Sequence, residues 1–276
     1  IEVIEKVIEF KSRTDTFHFY PFNDIHLGAT ESDEDSVEKR VLECANRKNS
    51  YAIGIGDYAD CITKNDPRFN IDGLAPWVEK SNIVESQRQR VVKLFKPLAE
   101  EGKLLFLGTG NHEEEIHMRH DNDITRNICS DLKVPYAGYS CFLVLTFRRG
   151  KGTGAVETHQ YIWHSWHGAG AAQSEGAQVM RLMRLVNDIQ AHIYTMGHLH
   201  TVATYMPTRL TCIRGRVKST QLLAAITGSW LKAYKQPREG QQLNPGYAEK
   251  KGYNPAHIGN PVIHIDPDAD KFSIEV

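Results

Sequence analysis

Short apolar runs separated by turn residues dominate the pattern along the chain. Runs of this length, bounded by glycine, proline or polar residues, predict buried β-strands. The predicted strands are Phe17–Phe22, Tyr51–Ile55, Leu104–Leu107, Phe142–Phe147, Tyr161–Trp166, Ile193–Met196 and Leu222–Ile226. Near the end of the sequence, Val262–Ile265 and Phe272–Val276 flank the turn DPDAD and predict a hairpin.

Three segments between these strands repeat their apolar residues at helical spacing. They are Ser36–Arg47, Ile83–Glu101 and Glu175–Ile189. The Leu and Met stripe of the third segment is typical of core packing. Strands alternate with helices early and cluster late, which predicts an α/β protein whose sheets are covered by helices.

Composition and charge narrow the class of protein. The 276 residues are 41% apolar and 24% charged, which fits one large globular domain over 1–276. The formal net charge of −1 gives no overall field for a nucleic-acid or membrane partner. No apolar run approaches the ~18 residues of a membrane span. The polar, turn-rich stretch at about 235–261 predicts a long surface loop.

Cysteine usage and the first residues bear on localisation. The five cysteines are scattered, and none forms a C-x-x-C pair, which disfavours a disulfide framework and predicts a reducing, cytoplasmic compartment. The opening IEVIEKVIEFKSR contains acids and lacks the apolar core of a signal peptide. It also lacks an initiator Met, so the sequence leaves open whether a further segment precedes Ile1.

Five of the predicted strands are followed at once by side chains that bind metals. The stretches are FNDIHLG (Asp24, His26), GIGDYAD (Asp57, Asp60), LGTGNHEE (Asn111, His112, Glu113), WHSWHGAG (His164, His167) and MGHLH (His198, His200). Ligands of open α/β sheets gather at the carboxyl ends of strands, so we expect these side chains to converge. Carboxylate, imidazole and amide ligands suit Mn, Fe or Zn, and the absence of thiols disfavours a structural zinc site.

The order D-x-H, G-D-x-x-D, G-N-H-E, H-G and G-H-x-H resembles the calcineurin-like metallophosphoesterases, from Asp24 to His200. The resemblance implies a four-layer α-β-β-α sandwich with two mixed sheets and two divalent metals at the strand carboxyl ends. By matching position, it implies that one metal is held by Asp24, His26, Asp57 and His200, and that Asp57 bridges to a second held by Asn111, His167 and His198. Mn is the expected metal, with Fe, Zn, Ni, Co or Mg as alternatives.

Catalytic roles follow from the same resemblance. The histidine of G-N-H-E, here His112, is expected to face the substrate and assist the leaving oxygen. Asp60 is expected to orient that imidazole, as acid–histidine pairs do elsewhere. Glu113 is expected to be a supporting acid, and His164 a strand residue near the site.

The resemblance leaves several substrate classes open. Protein phosphatases typically continue the second motif with Arg-Gly, whereas this chain reads DYADCIT, and HLG after Asp24-Ile25 resembles the repair-nuclease branch. We therefore predict phosphodiester hydrolysis in nucleic acid or nucleotides. A phosphomonoesterase acting on a small substrate is the alternative. An inactive binding module is disfavoured because every expected ligand is present.

Two local features bear on DNA as the phosphoester partner. The basic run RLTCIRGRVK at 209–218 could contact a phosphate backbone, although a solvated hairpin is the favoured interpretation. Tyr234, Tyr247 and Tyr253 could stack on bases. No membrane partner is expected, and the oligomeric state is left open.

Overall fold

The fold was analysed in a computed structural model that describes residues 1–150, 156–172, 174–213, 215–232, 234, 249–250, 252, 255 and 257–276. These residues contain thirteen strands, five α-helices and one 3-10 turn at Ile71–Gly73. The strands are β1 Glu2–Phe10, β2 Phe17–Asn23, β3 Ser50–Gly56, β4 Leu104–Leu107, β5 Ser140–Gly150, β6 Val156–Trp166, β7 Ile193–Met196, β8 Val202–Tyr205, β9 Thr208–Ile213, β10 Arg216–Gln221, β11 Leu223–Thr227, β12 Val262–Asp266 and β13 Lys271–Glu275. The helices are α1 Glu34–Asn46, α2 Ile83–Glu100, α3 Asn111–His120, α4 Ile124–Leu132 and α5 Glu175–Asp188.

The strands form two mixed sheets and one separate hairpin. The five-stranded sheet has the order β13-β12-β2-β3-β4, in which β2, β3 and β4 are parallel. The six-stranded sheet has the order β1-β5-β6-β7-β11-β8, in which β6, β7 and β11 are parallel. The hairpin of β9 and β10 makes a two-stranded sheet of its own. Each large sheet therefore presents several parallel strand ends at one edge.

The two large sheets pack face to face through one apolar core. Phe19 and Ile53 from the first sheet lie in the same buried cluster as Leu143, Trp163 and Leu223 from the second. The rings of Phe19 and Trp163 have centroids 5.5 Å apart, so aromatic side chains interlock across this layer. Because successive strand residues point to opposite faces, the alternate positions of the same strands face the helices.

Helices cover the outer face of each sheet. On the five-stranded sheet, Phe22 packs in one buried cluster with Val41 of α1, Phe95 of α2 and Ile128 of α4. On the six-stranded sheet, α5 packs against β7 and β11 through a third cluster that includes Leu182. The order helix, sheet, sheet, helix confirms the predicted four-layer sandwich.

The sequence pattern located the central strands but not every element. All seven single strands, the terminal hairpin and the three helices predicted from periodicity occur, with boundaries shifted by a few residues and with longer β5 and β6. β1, β8, α3 and α4 were not predicted. In α3 only Glu113 and Ile116 are buried, so the helix has almost no apolar stripe for a periodicity argument to find.

Several expectations concern residues outside the described part of the chain. The predicted loop at 235–261 lies largely there, as do Tyr247, Tyr253 and Arg214. The rest of the basic run forms the exposed hairpin that was favoured, with Leu210 and Val217 more than two-thirds exposed. Arg209 Nη2 donates to the Val186 carbonyl at 2.7 Å, which ties this hairpin to α5.

All five cysteines carry free thiols, as their scattered positions predicted. Four of them are buried, and Cys212 is exposed. Among the described residues, none of the helices combines the length and the apolar character that a membrane crossing requires.

Candidate metal centre

The predicted ligands all follow the carboxyl ends of strands in the two sheets. Asp24 and His26 follow β2, Asp57 follows β3, and Asn111 begins α3 shortly after β4. His167 follows β6, and the pair His198 and His200 follows β7. Because β2, β3 and β4 run parallel in one sheet, and β6 and β7 in the other, the side chains gather at one edge of the sandwich.

The backbone at this edge is held in an uncommon conformation. Five of the seven predicted ligands have positive φ values, between 49° and 68°, and they are Asp24, His26, Asp57, His198 and His200. Left-handed backbone is unfavourable for residues with a Cβ and persists where the surrounding structure enforces it. Such residues cluster at functional sites, so the backbone marks this edge independently of the side-chain types.

Asp24, His26 and His200 form the first group of potential ligands. Asp24 Oδ1 lies 3.1 Å from His200 Nε2 and 3.9 Å from His26 Nε2, and the two Nε2 atoms are 3.3 Å apart. Asp24 is fully buried, yet its Oδ1 accepts no hydrogen bond. A buried carboxylate oxygen without a donor is costly, so a cation is the natural partner of this atom.

Asp57, His167, His198 and Asn111 form the second group. Asp57 Oδ2 is 3.2 Å from His167 Nε2. Asn111 Oδ1 lies 3.1 Å from His167 Nε2 and 2.8 Å from His198 Nδ1. The four side chains thus present one carboxylate, one amide oxygen and two imidazole nitrogens toward a common point. This donor set fits a borderline divalent metal.

The ring orientation of His167 suits a metal ligand. Its Nδ1–H donates to the Ile55 carbonyl at 3.0 Å, which leaves Nε2 free to face Asp57. Metal-binding histidines usually fix their second nitrogen in this way. Burial opposes a positive charge on the ring, but the adjacent Asp57 carboxylate dominates and raises the pKa of His167 to about 9. The negative charge at this position therefore calls for a cation, which a metal can supply.

His112 lies beside both groups and forms, with His26 and Asp60, a third set of side chains with metal-binding atoms. Its backbone N–H donates to Asp57 Oδ1 at 2.9 Å, and its Nδ1–H donates to the main-chain carbonyl of Asp60 at 2.5 Å. Burial disfavours the imidazolium, but Asp57 and Asp60 outweigh it and raise the pKa of His112. Nε2 is therefore the ring nitrogen left to exchange a proton with a substrate.

The acid–histidine analogy predicts a contact between the Asp60 carboxylate and the His112 ring. In the structure the main-chain carbonyl of Asp60 makes this contact instead. The carboxylate Oδ1 instead lies 3.6 Å from Nδ1 of His26. A carboxylate behind a ligating imidazole fixes the orientation of the ring. Asp60 is thus placed to support two histidines at once, one through each of its oxygen types.

Glu113 has a larger role in the site than the motif alone indicated. Its carboxylate accepts the backbone N–H groups of Asp57 at 3.0 Å, Tyr58 at 2.7 Å, Ala59 at 3.1 Å and Gly110 at 3.1 Å. Burial and the nearby Asp57 charge raise the pKa of Glu113 to about 7, while the backbone donors favour the ionised form. One buried side chain therefore holds the loop after β3 to the start of α3.

Replacing Glu113 by glutamine is expected to lower the free energy of unfolding by about 2–4 kcal/mol. The amide has one acceptor oxygen and turns its own N–H groups toward backbone donors, so part of the four-bond array is lost. Denaturant unfolding measures the effect. Glu114→Gln, which removes the neighbouring carboxylate of the same helix, serves as the control. Equal unfolding free energies for the two variants would show that the array contributes little.

A polar network below Asp24 was not foreseen from the sequence. Asn23 Nδ2 donates to Asp24 Oδ2, and Thr227 Oγ1 donates to Asn23 Oδ1 at 2.7 Å. The His198 N–H also donates to Asp24 Oδ2, at 2.8 Å. Oδ2 of Asp24 is thus held by two protein donors while Oδ1 faces the imidazoles of His26 and His200. The sequence signal for this network was Asn23, immediately before Asp24. Thr227 could not be linked to it from the sequence, because it lies over 200 residues away.

Close approach of the ends of β3 and β4 requires glycine. Gly56 has φ +109°, and a Cβ there would lie 2.4 Å from the Gly110 nitrogen. A Cβ at Gly110 would in turn overlap the Asp57 carboxylate. Larger residues at these two positions would push Asp57 away from Asn111 and separate the ligands.

Another cluster with metal-binding residue types has a different explanation. Glu157, His159 and Asp268 lie together, but the buried Arg149 guanidinium pairs with Glu157 and, at 3.1 Å, with Asp268. Arg149 pairs with both carboxylates, and the Arg13 guanidinium lies 4.0 Å from Asp268, so this cluster is an ion-pair network.

No family model matches the sequence, and no curated protein matches it. The structure is similar to a conserved protein of Streptococcus pneumoniae described as a predicted phosphoesterase, with 14% identity, a TM-score of 0.36, and coverage of 91% of this chain and 84% of that one. It is also similar to a metallophosphoesterase from Sphaerobacter thermophilus, with 13% identity, a TM-score of 0.40, and coverage of 94% and 87%. A third match is the NAD nucleotidase of Haemophilus influenzae, with 8% identity, a TM-score of 0.38, and coverage of 95% and 49%.

Proposed function

We propose that this chain is a calcineurin-like metallophosphoesterase that binds two divalent metals and hydrolyses phosphodiesters. The observation that carries the proposal is the convergence of two ligand groups from five strand ends, with the buried Asp24 Oδ1 left without a donor. Asp24, His26 and His200 would hold one metal, and Asn111, His167 and His198 the other. Asp57, which belongs to the second group, would be the bridge to the first.

In the proposed hydrolysis, His112, Asp60 and Glu113 each have a separate role. When bound, two divalent metals polarise a phosphoryl group and lower the pKa of water. His112 gives its Nε2 proton to the departing oxygen, as a general acid. Asp60 holds the other nitrogen of that ring through its carbonyl, and the Glu113 carboxylate fixes the loop that carries Asp57.

The charge of the site favours a diester over a monoester. Among the described residues, no arginine or lysine hydrogen-bonds or ion-pairs with any of the nine proposed site residues. A phosphomonoester at neutral pH carries about one more negative charge than a diester, since its second pKa is ~6. The Arg68 guanidinium acts on His112 and Asp60 through space, but it is paired with Asp66 and Glu115, so it is not free to hold the second charge of a monoester. This charge pattern suits the monoanionic diester.

Nucleic acid and nucleotides are the proposed diesters. DNA is supported only by the exposed hairpin with Arg216 and Lys218, because Arg209 is bonded back to α5. A small phosphomonoester is the alternative substrate, and a metal-free binding module the alternative function. The cytoplasm is the proposed location, on the free thiols alone.

Metal analysis combined with a substrate panel tests the proposal. After Mn²⁺ loading, elemental analysis is expected to give close to two equivalents per chain, and bis-p-nitrophenyl phosphate is expected to turn over faster than p-nitrophenyl phosphate. Cyclic nucleotides, single-stranded DNA and duplex DNA complete the panel. A stoichiometry of zero would favour the binding module. Monoester turnover without diester turnover would move the chain to the phosphatase class.

A further inference from the structure

A cavity of about 390 Å³ is lined by residues of α2, α3 and neighbouring loops, and none of the proposed metal ligands is among them. Its volume is within the range of small-molecule sites. Three of the lining side chains are aliphatic, and they are Ile83, Val84 and Ile116. The others are polar, and they are Thr63, Lys64, Asn65, Lys80, Ser81, Asn82, His120 and Asn122.

The lining of this cavity is basic. It contains Lys64, Lys80 and His120 and no aspartate or glutamate. Both lysines are exposed, and no acid within the described part of the chain forms an ion pair with either of them. Elsewhere on the surface, Arg68, Arg88 and Arg90 are all paired with carboxylates. A cavity lined by two unpaired lysines and three aliphatic side chains suits an organic anion.

The cavity lies on the His112 side of the centre. His112, Ile116 and His120 are spaced four residues apart on α3, so they fall along one side of that helix. One such step is ~6 Å along the axis, which places the cavity within one to two turns of His112. Thr63 reaches the same cavity from the other direction, three residues after Asp60, whose carbonyl holds the His112 ring.

We propose that this cavity binds the leaving-group side of the substrate and that Lys64 and Lys80 hold a second phosphate carried by that group. The proposal rests on the proposed function, because His112 defines the leaving-group side as its general acid. The substrate class it names is a nucleotide unit that carries a phosphate beyond the scissile one. Such a unit matches both the basic and the aliphatic side chains of the cavity.

The physical match has two parts. A terminal phosphate carries ~2 negative charges at neutral pH, and the two ammonium groups can neutralise it with charge-assisted hydrogen bonds. A nucleoside has apolar ring faces that can pack on the aliphatic side chains, and polar edges that can bond to the asparagines and hydroxyls of the lining. A chromogenic aryl leaving group has no second phosphate and cannot use the lysines.

Kinetics with three thymidine dinucleotides test the proposal on the metal-loaded enzyme. One dinucleotide has no terminal phosphate, one has a 5′-phosphate and one has a 3′-phosphate. In the wild type, one of the two terminal phosphates is expected to raise kcat/KM at least tenfold. In the double variant Lys64→Ala/Lys80→Ala that gain is expected to disappear. Lys39→Ala/Lys93→Ala, which removes two exposed lysines outside the cavity, should keep it. The absence of any gain, or its persistence in the first variant, would overturn the proposal.

A binding measurement separates this proposal from the proposed function. Calorimetry with thymidine 3′,5′-bisphosphate is carried out on chelator-treated protein, so that bound metals do not contribute. Lys64→Ala/Lys80→Ala is expected to raise Kd at least tenfold, and Lys39→Ala/Lys93→Ala to leave it unchanged. If the wild type hydrolyses no phosphoester with any metal, the proposed function fails and binding alone decides: lysine-dependent binding supports the cavity as an anion site, and lysine-independent binding overturns it.

Discussion

Asp57→Asn is expected to lose bound metal and phosphoesterase activity together, with turnover lowered about 10³-fold or more. Asp57 is the one carboxylate of the second ligand group, and its Oδ2 lies 3.2 Å from His167 Nε2. Asparagine has nearly the same shape, so the fold is retained while the anionic charge is removed. Elemental analysis after Mn²⁺ loading should fall from about two equivalents to one or fewer.

Asp35→Asn is the matched control for this change. Asp35 is an exposed carboxylate in the first turn of α1, so its loss changes the net charge equally without touching the centre. Its metal content and turnover should equal those of the wild type. Full occupancy of both sites in Asp57→Asn would remove Asp57 from the ligand set and with it the bridged arrangement.

His112→Ala is expected to keep both metals and to lower turnover by roughly 10²–10⁴, the usual contribution of one general acid. Two nitrogens of His112 make hydrogen bonds within the protein: the backbone N–H donates to Asp57, and Nδ1–H donates to the Asp60 carbonyl. Only the imidazole is lost in the alanine variant, because the backbone bond to Asp57 does not need the side chain.

The leaving group offers a sharper readout of the same variant. The loss should be larger for a nucleotide diester, whose alkoxide must be protonated, than for bis-p-nitrophenyl phosphate, whose phenolate departs readily. His117→Ala, an exposed histidine on the same helix, is the control and should behave like the wild type. Metal loss in His112→Ala would make His112 a ligand, and equal losses on both diesters would argue against proton donation.

The strands that carry the site were predictable because each is buried on both faces. Residues such as Phe19 and Tyr20 pack on opposite sides of one sheet, so the strand appears as a continuous apolar run. The helix α3 was not predictable in the same way, because its residues serve the site and the solvent more than the core. Its first residue is a proposed ligand, its second the proposed acid, and its third carries the carboxylate that holds the β3 loop.

The sequence by itself determined which residue types follow the strands and in what order, and this was enough to predict the four-layer fold and to name nine site residues. It could not determine which atoms meet. That Asp60 uses its carbonyl toward His112, that Glu113 collects four backbone N–H groups, and that Thr227 lies under Asp24 all depend on contacts between distant segments. The basic cavity likewise joins lysines from two loops with one side of α3. Such contacts are decided by sheet order and by the path of the loops, which local propensity does not encode.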